Sequence, residues 1–421
     1  MKIAVIGSGI SGLGIAYLGQ ANGHEVHLFE KANYFGGHSN TIQITEGSRS
    51  FYADTGFLVH NPRTYPNLLE LLSRLNVKTV ESQMTLSIQV LERNVEWGGT
   101  NIRTLFAQKA NLFRPGFYRM IYDLLRFNRL APTFLEQLTN DPKKTLGQLL
   151  VEKNFSTELR DWYLIPMAAA IWSTPASKIL EFPAFTFLRF CMNHNLLQTD
   201  GRPLWRTIEG GSRNYVNKIV DTIQYKHLNC NIRSVSRSDG KVKVKINDSD
   251  QTFDKVVFAT HADQTRQLLE GTQPDEEQIL SHFHFQKNKA VVHSDQSVLP
   301  QRKELWSAWN YASSMDSSQV SVSYLLNHLQ NLPTKVPIIV TLNPHKRIAD
   351  EKIIRTIEYD HPVFDVETIK AQGRISEIQG RGGIYHTGAW LGYGFHEDGL
   401  KSALRVARAL GLKIPWSPIY E

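Results

Sequence analysis

The sequence predicts an α/β protein, α+β overall, in which a Rossmann-type dinucleotide-binding domain is interrupted by a second domain of mixed sheet and helices. Three observations predict it. The first thirty-seven residues read strand, glycine turn, helix, strand, acidic residue and glycine pair. A second glycine-rich strand, turn and helix run from Gly382 to Gly399, close to the C-terminus. Between these ends the chain passes from helical spacing to strand-like runs without a low-complexity linker or an internal repeat.

The opening strand is the apolar run Lys2 to Ile6, followed by Gly7-Ser8-Gly9-Ile10-Ser11-Gly12 and by Ala16 on the next helix. Gly7 permits the tight turn, Gly9 a close backbone approach to a pyrophosphate, and Gly12 with Ala16 the packing of helix on strand. The helix N-terminus turns free N–H groups toward the phosphates, with Ser11 in its first turn. A second strand, Glu25 to Phe29, ends at Glu30, where a carboxylate can take ribose hydroxyls; Lys31 beside it is a further candidate cofactor contact. Gly36-Gly37-His38 and Asp54-Thr55-Gly56 then supply a second backbone approach. A nicotinamide has no use for one, whereas FAD runs extended through a protein and is covered along its length. The closing stretch adds Gly388, Gly392, Tyr393, Gly394, Phe395, His396, Glu397 and Asp398 for the flavin end. The cofactor expected is FAD.

In the middle, Met84 to Trp97 reads as strands and turns, and residues 102–200 as mostly helical. Gly210-Gly211-Ser212 opens a helix through Ile219; Ile232 to Val244 and Lys255 to Ala259 read as strands, and the backbone of Ile232 is placed against the adenine. Lys289 to Val292, Val320 to Leu326 and Ile338 to Leu342 read as a second sheet. The expected cofactor domain is therefore discontinuous, 1–85, 205–265 and 375–421, with a substrate domain of 86–204 and 266–374.

At 421 residues and 41% hydrophobic the chain can bury a large core. Cys191 and Cys230 form no framework and have no metal-ligand spacing, nor do the fifteen histidines, so a reducing, cytoplasmic setting and no metal are expected. No apolar run reaches the roughly 18 residues of a membrane span, and the glycine spacing argues against a secretory leader. The net charge of +7 is concentrated in Arg103, Lys109, Arg114, Arg119, Arg126 and Arg129, opposed only by Asp123. Apolar residues interleave at helical spacing after Pro115. This is either a solvated helix face on a core or a basic amphipathic helix lying peripherally on an anionic membrane surface. No nucleic-acid recognition motif accompanies the charge.

Several stretches carry a resemblance to a known family. They are Tyr34 to Thr41, Asp54 to Asn67, Phe106 to Leu112, Ile171 to Pro175, Asn193 to Gln198, Gly201 to Thr207, Trp306 to Tyr311, Thr341 to Pro344 and Gly392 to Ala403. Through them the chain resembles the flavin-containing amine oxidase and phytoene desaturase superfamily over most of its length. It is most similar to the flavin-oxidase-like N-terminal module of plant cyclopropane fatty-acid synthases and to stand-alone bacterial flavoproteins found beside such synthases. The resemblance implies an FAD domain of the glutathione-reductase and amine-oxidase kind. It also implies redox chemistry on fatty-acyl chains of membrane lipids: desaturation or another oxidation, including chains bearing a methyl or cyclopropane group. The plant proteins continue into a methyltransferase domain and this sequence stops at Glu421, so a separate methyltransferase is the partner implied. Many relatives place an acidic residue after the glycine that ends the last strand; here Ala389 follows Gly388, leaving the ribitol contact to backbone, Glu397 or Asp398.

Oxidising an unactivated C–C bond needs a hydride acceptor over the chain in a dry apolar slot and a group to take the proton. Phe182, Phe185, Phe187, Phe190, Trp172, Trp205, Trp306 and Trp309 are candidate walls, though each is also an ordinary packing aromatic. His396 and Tyr393 are the candidate catalytic residues, and a structural hydrogen bond is the competing role for His396. Two rival functions stay open: oxidation of a small amine, and a flavin-bearing accessory subunit of the methyltransferase.

Overall fold

Lys2–Ile6, Glu25–Phe29 and Lys255–Phe258 are the three central strands of a five-stranded parallel sheet. Its order is Ile384–His386, Lys255–Phe258, Lys2–Ile6, Glu25–Phe29, Tyr225–His227. Here and throughout, a computed structural model describes residues 1–197, 203–313 and 320–420; of the stretches quoted above, Gln198, Gly201 and Arg202 lie outside the described residues. The central strands are buried on both faces, as a covered parallel sheet requires. The first helix, Ile10–Ala21, is apolar on every side and most of it is buried. It lies against the last helix, His396–Ala409, where Gly14 leaves room for Leu400 and Ala403. On the other face Val235, Val242, Val244 and Phe253, from a three-stranded antiparallel sheet (Ile232–Ser238, Lys241–Ile246, Ser249–Phe253), pack on Ala4, Ile6 and Phe258.

A second, seven-stranded sheet runs Ile353–Val363, His284–His293, Ile339–Leu342, Ser321–Leu325, Trp309–Ala312, Leu86–Val90, Val95–Gly98. Its pairs are antiparallel except Trp309–Ala312 with Leu86–Val90. Helices Ile165–Trp172, Pro115–Leu138 and Ala184–Asn193 share one large apolar core with it. The strands expected at 289–292, 320–326 and 338–342 are all in this sheet, as is the segment after Met84. The helix expected from Pro115 runs to Leu138. Several elements were not expected, among them the helices Pro66–Arg74, Pro274–Ser281 and Val366–Arg374, an edge strand and a hairpin. Ile353–Val363 is an edge strand whose first four residues are all exposed, so its sequence carries no period of two. The hairpin Thr41–Glu46 with Arg49–Asp54 turns at Gly47, in the left-handed region at φ +59°.

Candidate active site

The C-terminal edge of the parallel sheet is where the glycine signals of both chain ends meet. Gly7 leaves the first strand at φ +99°, and its N–H donates to the Phe29 carbonyl at 2.9 Å. A Cβ at Gly7 would come within 2.8 Å of the Ala259 oxygen, and one at Gly12 within 1.9 Å of the Gly7 oxygen. At Gly9, by contrast, a Cβ would meet nothing within 4 Å. The first helix begins at Ile10 with no side-chain cap and no acidic residue in its first turn. Its free N–H groups and positive dipole end therefore adjoin a cradle open to a phosphate.

Glu30 lies at the end of the neighbouring strand. Its Oε2 accepts from the Ser8 N–H at 3.0 Å and the Ser8 hydroxyl at 2.5 Å, and Oε1 from the Ala32 N–H at 2.8 Å. Each oxygen keeps lone-pair capacity for a ribose hydroxyl. Lys31 is exposed beside it. The Cys230 N–H donates to the Glu30 carbonyl at 2.9 Å, which brings the strand opening at Ile232 next to this end. Gly36 donates to the Ser8 carbonyl at 3.1 Å, and a Cβ at Gly37 would lie 3.1 Å from the Gly9 Cα. The His38 carbonyl accepts from Phe57 at 2.8 Å and would be 2.4 Å from a Cβ at Gly56. The His38 ring stacks on Tyr359 with centroids 4.7 Å apart, and its buried Nε2 has no hydrogen-bond partner. Burial holds the ring well below its ordinary pKa. Such an orphaned polar atom fits a bound polar group.

From the last strand the chain passes Gly388, whose N–H donates to the Ser402 hydroxyl at 2.9 Å, and reaches Gly394 at φ +93°. Phe395 donates to the Asp398 carboxylate at 3.0 Å. Gly399 then brings the last helix so near the first that a Cβ would lie 2.8 Å from both the Ile10 Cγ2 and the Ser11 Oγ. The two helix N-termini thus adjoin. An extended cofactor running from Gly9 and Glu30 past Gly36, Gly37 and His38 toward Gly56 and Gly394 fits this chain of backbone approaches.

His396 is buried at the first turn of the last helix. Its Nε2 bonds the Ser39 and Tyr215 hydroxyls at 2.8 and 3.0 Å, and its ring stacks on Phe57 at 3.8 Å. Burial brings its pKa down to about 3. The ring is a neutral joint between the loop at Ser39, the helix Arg213–Thr222 and the last helix. The Tyr393 ring faces a different group, with its centroid 5.4 Å from that of Phe190 and its carbonyl accepting from the Trp172 indole at 3.2 Å. Of the candidate walls, Trp172, Phe182, Phe187 and Phe190 collect there with His194 and Phe395. Phe185, Trp205 and Trp309 pack at the rim of the same core. Trp306 does not belong to it, since it packs with Val291, Leu299 and Ile348 in a separate cluster.

The carboxylates next to the turn have protein partners. Glu397 accepts from the Asn67 N–H, the Asn67 side chain and the Leu68 N–H at 3.0, 2.7 and 3.0 Å, capping the helix Pro66–Arg74. Asp398 closes its own turn, with burial raising its pKa to about 6. Asp54 accepts from the Ser212 N–H and hydroxyl and from Thr41, and burial raises it also to about 6. Ser8, Ser39 and Tyr215 were not singled out in the sequence, because each fills an unconstrained position of a motif or an ordinary core place. Among the described residues no three His, Cys, Asp or Glu side chains gather to hold a metal ion.

Two cavities flank the site. One of about 620 Å³, lined by residues such as Tyr34, Ser39, Thr41, Arg213 and Arg355, lies along the loop at Gly36 and includes neither Gly9 nor Gly394 in its walls. The other, about 200 Å³, is lined by Arg189, Asn193, Leu391, Gly392, Tyr393, Asp398, Lys401, Arg405 and Tyr420.

A Rossmann sheet joined to a long mixed sheet, with glycine turns from both chain ends on one edge, defines a flavin-dependent oxidoreductase. The chain belongs to the flavin-containing amine oxidoreductase family, whose model matches residues 10–335, and its cofactor is FAD. It is similar in fold to the CLA-producing fatty acid isomerase from P. acnes, at 17% identity and TM-score 0.68, covering 97% of this chain and 98% of that one. Putrescine oxidase bound to putrescine matches at 15% identity and TM-score 0.71, covering 98% and 99%. Cyclohexylamine oxidase from Brevibacterium oxydans IH-35A matches at 15% and 0.69, covering 97% and 99%. No curated protein sequence matches the chain.

Proposed function

We propose that this FAD-dependent oxidoreductase acts on fatty-acyl chains, those of membrane lipids included, by desaturation or a related oxidation. The observation that carries the reading is the 200 Å³ cavity beside Tyr393. Three cationic side chains, Arg189, Lys401 and Arg405, line it against one acid, Asp398, whose pKa is raised. Tyr393 is shared between this cavity and the aromatic cluster of Trp172 and Phe190. An anionic head group matches that cationic lining, and a protonated amine does not. One structural relative is a fatty acid isomerase, which adds support from the same fold.

Desaturation forms one C=C bond and removes two hydrogens, one as hydride and one as a proton. Bound FAD would supply the two-electron acceptor for the hydride, and the proton would be released to solvent. The protein's own contribution is to orient the chain, exclude water with the Trp172 and Phe190 cluster, and hold the head group by charge. Tyr393 lines the cavity and packs against that cluster.

The test is anaerobic mixing of holoprotein with a free fatty acid, with phospholipid, and with small amines such as putrescine and cyclohexylamine. Bleaching of the flavin by acyl substrates alone supports the proposal. Bleaching by amines alone overturns it in favour of the amine oxidase reading that two of the structural relatives represent. Bleaching by none, with a methyltransferase co-purifying, overturns it in favour of an accessory role. Arg189→Gln is expected to raise KM for a free fatty acid about 5- to 10-fold, the loss of one charge-assisted contact, with kcat little changed.

A further inference from the structure

The helix Pro115–Leu138 buries one face and leaves the other open. Phe117, Met120, Phe127, Ala131 and Phe134 point into the core, where the helix packs on Ala184–Asn193. Tyr118, Tyr122, Leu125 and Arg129 form the opposite stripe and are all exposed. The turn just before the helix exposes Leu112 and, at 86%, Phe113; nearby Ile102 is 78% exposed. Six of the sixteen large hydrophobic side chains exposed among the described residues therefore fall between residues 102 and 125. The Tyr118 hydroxyl donates to the Leu112 carbonyl at 3.0 Å, so the helix holds the turn in place. An apolar patch fixed outward in this way marks a contact surface.

Its charge says what it contacts. From residue 101 to 122 there is no Asp or Glu. Arg103, Lys109, Arg114 and Arg129 make no ion pair among the described residues; Arg114 donates to the Asn94 carbonyl at 2.7 Å instead. Two of the acids nearby are engaged elsewhere, while Glu136 lies exposed on the same stripe about two turns beyond Arg129. Asp123 is buried and accepts from Arg126 and the Ser156 N–H, and Glu158 pairs with Arg119 at 3.4 Å. Among the described residues no helix is long and apolar enough to cross a membrane, so any attachment through this helix is along the surface. We propose that this face docks on an anionic bilayer, with Phe113, Leu112, Tyr122 and Leu125 entering the interface and the unpaired cations meeting lipid phosphates. The inference stands apart from the substrate proposal, since it concerns attachment and not turnover.

The test is flotation of holoprotein with phosphatidylcholine vesicles, with and without phosphatidylglycerol. Partition is expected on the anionic vesicles and little on the neutral ones. Arg103→Gln with Lys109→Gln should weaken it roughly 25-fold, about fivefold per charge. Phe113→Ser with Leu125→Ser should weaken it at least as much, while the flavin spectrum reports an intact fold. Three outcomes overturn the proposal: no flotation, equal flotation on both vesicles, or a concentration-dependent dimer that Phe113→Ser dissolves, which would assign the face to a second copy. Turnover of detergent-dispersed substrate is read separately, so a failed activity assay leaves the flotation result intact.

Discussion

A methyl group added at Gly12 would lie 1.9 Å from the Gly7 carbonyl oxygen, whereas one at Gly9 meets no atom within 4 Å. Gly9 sits at φ −63°, which alanine adopts freely. The two glycines of one motif therefore separate experimentally. Gly12→Ala must push helix from strand, with a cost at the upper end of the roughly 1–3 kcal/mol of overpacking. Its apoprotein should melt well below wild type. Gly9→Ala should leave the apoprotein within about 0.5 kcal/mol of wild type and lose FAD on gel filtration. Full FAD retention by Gly9→Ala would remove the pyrophosphate from this turn. At this scale the glycines were legible because spacing encodes a backbone requirement. Ser8 was not: its bonds to Glu30 arise from a position where the motif accepts any residue. Nor could spacing alone place the His396 ring between Ser39, Tyr215 and Phe57, partners that come from three separate parts of the chain.

Elements are joined here by side chains whose role the sequence does not announce. Glu397 is 3% exposed and belongs to the last helix, yet its three hydrogen bonds cap the helix Pro66–Arg74, more than three hundred residues earlier. Glu397→Ala would orphan the buried Asn67 and Leu68 N–H groups at an expected cost of about 3 kcal/mol. Glu397→Gln keeps one acceptor oxygen and should lose less. Denaturant unfolding of the three proteins checks the order, and equal loss in both variants would deny the cap. Elements with strong periodicity were readable: the first strands and helix, the run after Pro115, the strands near 289, 320 and 338. Ile353–Val363 was not, because an edge strand buries little on either side and so shows no alternation. Yet that strand presents Tyr359 to His38 and His361 to Asn288.

Across the whole molecule, joining two chain ends on one sheet edge buries titratable groups that an unfolded chain would expose. His60 and His361 are brought by burial to about 4, and His386 and His396 to about 3. Neither ring nitrogen of His60 or His386 has a hydrogen-bond partner. In the unfolded chain these rings bind protons below about pH 6.5, and in the folded one they do not until near pH 4 or lower. The unfolded state thus binds more protons across that window, and stability is lost as pH falls through it. Asp54 and Asp398, raised to about 6, act oppositely, because the folded state holds their protons from about pH 4 to pH 6. His194, His293 and His345 are also brought by burial to about 4, so the lowered rings outnumber the raised carboxyls and dominate, and above about pH 6.5 neither set contributes a slope. The melting temperature of the holoprotein should hold steady from about pH 8 to pH 7 and fall progressively toward pH 5, a loss of several kcal/mol. His386→Asn removes one ring from inside the core, away from Ser39 and Tyr215, and should make the acid side of the curve shallower. A melting curve flat to pH 5 would mean that these rings take up protons in the folded protein, and that the sheet edge carrying the cofactor cradle is far more open to water than its packing indicates.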